Sequence, residues 1–354
     1  MPTRNYIHAS SRAPSTSHTP SVRTCLGVLL VVLLVGGIGL TYAAYRRDVS
    51  AARERSTAGS QIAETPCGPI EYSVLGEGTP VLVVHGAGGG FDQGLQFAAP
   101  LAERGFRIVA MSRFGYLRTP LAKDASAEAQ AAAHACLLDA LNIRRAAIIG
   151  ASAGAPSSMQ FALRYPERAA SLILLVPAAY VPRPNQAAPL KTPTGVKLLF
   201  NTALQSDFLF WAASRAAPRI LVRALLATPP QVVEAASFAE KERVTLVLDS
   251  ILPVSPRRLG LLNDAAVTST LSRYDLEHVF APTLAISVAD DLFGTFDAAR
   301  YTAEHIAGAR FVGYPSGGHV WVGHQEDVFR EITAFLTLHN ARDVSPASAD
   351  PPTR

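Results

Sequence analysis

Residues 26–44 carry no charge, and their apolar side chains leave no polar face in any helical register. A run this long reads as a membrane-spanning helix, because a helix satisfies its own backbone polar groups while its side chains meet lipid. The competing reading is a cleaved signal peptide with Thr41-Tyr42-Ala43 as the small-x-small cleavage site. The apolar stretch exceeds a usual signal core and its leading segment is long, so an uncleaved single-pass anchor over 25–45 is the expectation. A secreted or periplasmic location after cleavage is the alternative. Ser, Thr, Pro and Arg dominate residues 1–24, which read as a disordered tail. Residues 46–64 show no apolar period and read as a polar linker.

From Cys67 onward the texture changes. Short apolar runs at 69–75, 81–84, 107–111, 146–149, 172–176, 283–288 and 310–314 read as strands. Helical stretches fall between them at 127–141, from the loop after 149 to about Tyr165, at 297–306 and at 326–338. Runs apolar at every position, such as Val81-Leu82-Val83-Val84, fit strands buried on both faces. The alternation predicts a doubly wound, mostly parallel α/β sheet. Residues 182–278 break it with helical stretches at 197–213, 220–227 and 232–252 and no clear strand. They read as a helical cap inserted into a sheet domain made of 65–181 and 279–340. Residues 341–354 read as a second disordered tail.

Composition sharpens this picture in three ways. Apolar residues are 49% and charged residues 17% of the 354, which rules out disorder throughout. The net charge of +4 is misleading, since seven Arg against Asp48 and Glu54 give residues 1–59 a charge of +5 and leave −1 for the rest. The folded part therefore lacks a basic footprint, and no nucleic-acid partner is expected. Cys25, Cys67 and Cys136 form no C-x-x-C pair, so no metal site is expected and all three read as packing residues.

Gly150-Ala151-Ser152-Ala153-Gly154 fits G-x-S-x-G directly after a buried strand and before a helix. A sharp strand-to-helix turn strains the serine and crowds its neighbours, so the flanking positions must be small. A helix-capping serine is the plainer reading. His85-Gly86-Ala87-Gly88-Gly89-Gly90 follows another strand. Its backbone amides suit a developing oxyanion, and glycine lets them come close. As a dinucleotide loop it fails, because the sixth position from Gly86 is Phe91. No cofactor is expected. Asp290 and Asp291 end one late strand, and His319 follows the next in Ser316-Gly317-Gly318-His319. An imidazole needs a carboxylate on its second nitrogen to hold its tautomer, and the order Ser, Asp, His is that of a doubly wound hydrolase.

With these residues in place, the segment from Cys67 to Leu338 resembles the α/β-hydrolase superfamily. The resemblance implies Ser152 as nucleophile, His319 as general base and Asp291 as the acid, with Asp290 left open by one position. It also implies the amides of Ala87 and Ala153 as the oxyanion hole. The family's D-x-x-G-x-G-x-S stretch appears here altered, as Ser112-Arg113-Phe114-Gly115-Tyr116-Leu117-Arg118-Thr119. The expected activity is a membrane-tethered serine hydrolase cleaving a small or medium apolar carboxylic ester, a small-molecule partner. Carbon–carbon bond hydrolysis, lactone hydrolysis and perhydrolysis by the same triad are alternatives. A catalytically silent scaffold is a further one, though no triad member is missing. Gly88, Phe208 and Trp211 are the expected substrate contacts. Plain packing inside the cap is the competing reading for the two aromatics.

Overall fold

The computed structural model describes residues 22–182 and 204–340. The tail expected at 341–354 and residues 1–21 of the tail expected at 1–24 lie outside the described residues; residues 22–24 are helical and not a disordered tail. So does the first part of the helix expected at 197–213. The chain divides into two units, Met1–Asp48 and Val49–Arg354.

The first unit holds most of α1 (Val22–Arg55). Its large apolar side chains from Leu26 to Leu40 are exposed. The helix is long and apolar enough to cross a membrane, and a signal sequence fits the same description.

In the second unit the final turns of α1 are amphipathic, with Val49 and Ala52 buried. The expected linker at 46–64 is therefore not one. It continues the helix to Arg55 and then forms an edge strand, β1 (Gln61–Thr65). Only Ala63 of β1 is buried, so the strand left no apolar run to read. The other strands are β2 (Gly68–Leu75), β3 (Thr79–Val84), β4 (Phe106–Met111), β5 (Ala146–Ala151), β6 (Ala169–Leu175), β7 (Thr283–Val288) and β8 (Arg310–Tyr314). They form one sheet in the order β1-β2-β4-β3-β5-β6-β7-β8. The first two strands pair antiparallel and the rest parallel.

Side-chain alternation divides the core into two layers. Leu82, Val84, Val109 and Ile148 face one layer with α3 (Ala127–Ala140) and α4 (Ala155–Arg164). Val81, Val83, Ile108 and Ile149 face the other with α2 (Phe91–Ala102) and the last helix, α11 (Gln325–Asn340). Burial on both faces is why these strands read as unbroken apolar runs. Strand order reverses beside β3, so the loops after β3 and β5 open a crevice at their C-terminal ends, where ligands of such sheets bind.

Between β6 and β7 lie α5 (Asp207–Ala216), α6 (Pro218–Leu225), α7 (Pro230–Ala235), α8 (Phe238–Asp249) and α9 (Arg258–Ser269). Between β7 and β8 lies α10 (Thr295–His305). Cys67 and Cys136 are joined in a disulfide with their Cα atoms 6.2 Å apart, and the free Cys25 is exposed. The packing role expected of this pair is thus corrected. The two are 69 positions apart and meet only because α3 packs against β1 and β2.

Candidate active site

Ser152 follows β5 at φ +49°, a left-handed conformation that a non-glycine residue adopts at a cost. The turn survives because its neighbours have no room for side chains. A Cβ on Gly150 would stand 2.5 Å from Ser158 Oγ, and one on Gly154 would stand 2.5 Å from the carbonyl oxygen of Val84. The Ala178 amide donates to the Ser152 carbonyl at 3.1 Å and holds the turn from outside.

His319 Nε2 lies 2.9 Å from Ser152 Oγ, and its Nδ1 lies 2.7 Å from Asp291 Oδ2. Asp291 also accepts from the Thr295 hydroxyl and, at 2.9 Å, from the Phe293 amide. Burial pushes the Asp291 carboxyl up, but the His319 charge and these hydrogen bonds outweigh it and hold it below its ordinary value. Asp291 is therefore ionised at neutral pH. Asp290 has a different partner: its Oδ1 accepts from the Gly318 amide at 2.7 Å and fixes the loop that carries His319. The Phe293 ring packs edge-on against the imidazole at 5.0 Å.

The loop after β3 closes on the same serine. A Cβ on Gly86 would stand 3.1 Å from Ser152 Cβ. Among the described residues the Ala87 amide has no protein acceptor. Ala153 is the second residue of the turn beginning at Ser152, where an N–H has no intrahelical partner. The Gly88 amide is engaged, donating to Tyr116 Oη at 3.2 Å. His85 borders the cavity, but both of its ring nitrogens are engaged by backbone. Its Nδ1–H donates to the Gly86 carbonyl at 2.7 Å, and its Nε2 accepts from the Arg113 amide at 3.0 Å. Burial, then the nearby Arg113 charge, push its pKa well down, so the ring is neutral.

A cavity of about 190 Å³ opens over Ser152 and His319. Its walls combine Gly88 and Phe97 of the sheet domain with Leu225, Val247, Ile251 and Leu261 of the segment between β6 and β7. Phe208 and Trp211 are not among the lining residues, contrary to expectation. Trp211 is 6% exposed and stacks against Phe208 at 6.1 Å. The apolar face of α5 with Phe210 and Trp211 is buried, so its spacing marked packing and not a pocket wall.

Several contacts escaped the sequence. Arg243 of α8 lines the cavity, donates to the Val320 carbonyl at 2.7 Å and pairs with Glu240 at 2.9 Å. Glu240 in turn accepts from the Gly323 amide at 2.8 Å. The fully buried Arg257 donates to the Gly89 carbonyl at 2.6 Å and pairs with Asp92 at 2.5 Å. Arg113 pairs with Asp264 of α9 at 2.6 Å. The altered stretch at 112–119 was the available signal for Arg113; nothing marked its partners.

A model of the family described as alpha/beta hydrolase fold matches residues 79–322. The Bacillus subtilis (strain 168) protein named "Uncharacterized hydrolase YcgS" is 30% identical over 275 residues, covering 73% of this chain and 91% of that protein. The 2-hydroxy-6-oxo-6-phenylhexa-2,4-dienoate hydrolase of Comamonas testosteroni is 25% identical over 272 residues, covering 74% and 89%. Among solved structures, an alpha/beta hydrolase fold protein from Nakamurella multipartita superposes with a TM-score of 0.59 at 28% identity, covering 78% of this chain and 98% of that one.

Proposed function

The chain belongs to the alpha/beta hydrolase fold family, and from that premise we propose that it hydrolyses a small or medium uncharged apolar ester through an acyl-enzyme on Ser152. The observation that carries the reading is the continuous chain Ser152 Oγ, His319, Asp291 at 2.9 and 2.7 Å, beneath an apolar cavity. His319 Nε2 takes the hydroxyl proton as Oγ attacks the carbonyl carbon. Asp291 holds the imidazole by Nδ1–H and stabilises the imidazolium. The amides of Ala87 and Ala153 meet the oxyanion. The tetrahedral intermediate collapses, and His319 protonates the departing alcohol. Water then attacks the acyl-enzyme, with His319 again as base, and frees Ser152 and the acid.

Carbon–carbon bond hydrolysis is the competing reading, since a relative is named a dienoate hydrolase. A dienoate is a carboxylate and calls for a cation in its pocket. Among the described lining residues the one cation is Arg243, which Glu240 already neutralises. That favours an uncharged substrate. The segment between β6 and β7, as a cap, sets the acyl-chain length through Leu225, Val247, Ile251 and Leu261. The apolar part of α1 is read as a single-pass anchor. The Cys67–Cys136 bridge supports placing the catalytic unit on the oxidising side of that membrane.

One preparation tests these readings together. Membranes from expressing cells, washed with alkali, should retain hydrolysis of p-nitrophenyl esters, with a maximum at short or medium chains. Ser152→Ala should lower kcat by at least about 10³-fold. Undiminished turnover in a folded Ser152→Ala protein refutes the acyl-enzyme. Activity released by the wash refutes the anchor.

A further inference from the structure

The peptide group between Gly86 and Ala87 holds a special position. Its carbonyl oxygen and its N–H lie in one plane and point in opposite directions, because the peptide is planar and trans. Whatever fixes the Gly86 oxygen therefore aims the Ala87 N–H. Three donors hold that oxygen: His85 Nδ1 at 2.7 Å, Arg113 Nη2 at 3.2 Å and, from within the loop itself, the Gly89 amide at 3.3 Å. Arg113 Nε also donates to the preceding carbonyl, that of His85, at 2.9 Å.

Arg113 is itself held from the inserted helices. Both of its terminal nitrogens donate to Asp264, Nη1 to Oδ1 and Nη2 to Oδ2, each at 2.6 Å. Tyr116 Oη donates to the same Asp264 Oδ2 at 2.5 Å. With its proton committed there, the phenol oxygen turns a lone pair to the Gly88 amide at 3.2 Å. Burial and then the Asp264 charge push the Tyr116 pKa well up, so the phenol keeps that proton. Arg113 and Asp264 are both about 5% exposed, and two parallel bonds between such planar groups fix angle as well as distance.

We propose that Asp264 is a positioning residue for the oxyanion hole: through Arg113 and Tyr116 it orients the loop of residues 85–88 and aims the Ala87 N–H at the developing oxyanion. This rests on the reading that Ser152 forms an acyl-enzyme. Asp264 touches no substrate. Its effect should appear in the transition state and not in ground-state binding.

The test compares purified full-length parent and Asp264→Asn with a p-nitrophenyl ester, an alkyl trifluoromethyl ketone and the corresponding alkyl methyl ketone. The trifluoromethyl ketone adds Ser152 and places an oxyanion in the hole, while the methyl ketone remains a planar ground-state mimic. Removing one oxyanion donor costs about 10²–10³-fold in kcat, so misaiming one should cost about 10- to 100-fold. The expected result is that loss in kcat, KM changed by less than about threefold, a matching rise in the trifluoromethyl ketone Ki and an unmoved methyl ketone Ki. A folded Asp264→Asn protein with parental kcat and trifluoromethyl ketone Ki overturns the proposal. If that variant does not fold, Tyr116→Phe decides. It removes only the hydroxyl between Asp264 and the Gly88 amide, and should lose about fivefold or more in both readouts; parental values overturn the proposal. Fluorophosphonate labelling of the parent runs alongside. An unlabelled parent refutes the acyl-enzyme and this proposal with it, whereas a labelled parent with an indifferent Asp264→Asn refutes the positioning role alone.

Discussion

The two sides of the site are built differently. On the sheet side, Ser152 is set by contiguous residues: a buried strand, a turn of small residues and a helix, with Gly150 and Gly154 packed against Ser158 and Val84. On the other side, each loop that faces Ser152 is tied to the segment between β6 and β7. The loop of His319 is held through Arg243 and Glu240, that of Asp291 by the Leu292 amide on the Ala227 carbonyl, and the loop after β3 by Asp264 and Arg257. The insert therefore does more than shape a pocket. Its polar contacts reach the loops of His319 and Asp291 and the loop after β3, and its apolar side chains line the cavity.

The largest effect separates two adjacent carboxylates. Asp291→Asn should keep the fold and lower kcat by about 10²–10⁴-fold, because the amide favours the wrong imidazole tautomer. Asp290→Asn keeps an oxygen for the Gly318 amide and should cost less than about tenfold. Steady-state kinetics on the two purified proteins measure both, and equal losses would erase the distinction between acid and loop brace.

The next separates the insert's packing from its contacts with the site. Trp211→Ala should cost about 3–5 kcal/mol of stability, the usual cost of truncating a buried Trp. It should leave the ester chain-length profile unchanged. Urea melts and the ester series read the two effects, and a profile shifted toward longer chains would return Trp211 to the pocket wall.

The smallest lies beneath the turn that carries Ser152. His134 is fully buried, with Nε2 3.1 Å from Ser157 Oγ, and burial followed by the Arg113 charge lowers its pKa to about 3. The unfolded chain takes up this proton near the ordinary value of 6.5, so the unfolded state binds more protons between those limits and stability falls as pH drops below 6.5. The loss is about 2 kcal/mol at pH 5 relative to pH 7. His134→Gln should remove that share of the acid limb, while the equally buried His85 preserves a remainder. Urea midpoints of parent and variant at the two pH values measure it, and an unaltered acid limb contradicts the assignment.

What could be read from the sequence follows the same divide. The strands of the parallel sheet were legible because burial on both faces left unbroken apolar runs, and the turn at Ser152 because its parts are adjacent. Edge strand β1 was not, having one buried residue. Helix α2 hid behind the glycine-rich loop and carries Pro100. The disulfide joins residues 69 apart, and Arg243, Asp264 and Arg257 find partners 77, 151 and 168 positions away, distances over which no local period carries a signal. The altered stretch at 112–119 is intelligible only in three dimensions. Where the family pattern has Asp, Ser112 donates to the buried Glu71 of β2 at 2.9 Å and accepts the first amide of α2 at 3.1 Å. A neighbouring strand thus supplies the carboxylate. Leu117, where the pattern has Gly, takes φ +50°, with its amide on the Pro256 carbonyl at 2.8 Å.

The central claim is that the sheet side presents one activated nucleophile, Ser152. Alkali-washed membranes treated with a fluorophosphonate, digested and mapped by mass spectrometry test it directly. The account predicts one stoichiometric adduct, on the peptide containing Ser152, absent from Ser152→Ala and strongly slowed in Asp291→Asn. An adduct on another residue, or ester hydrolysis with Ser152 unmodified, would contradict it.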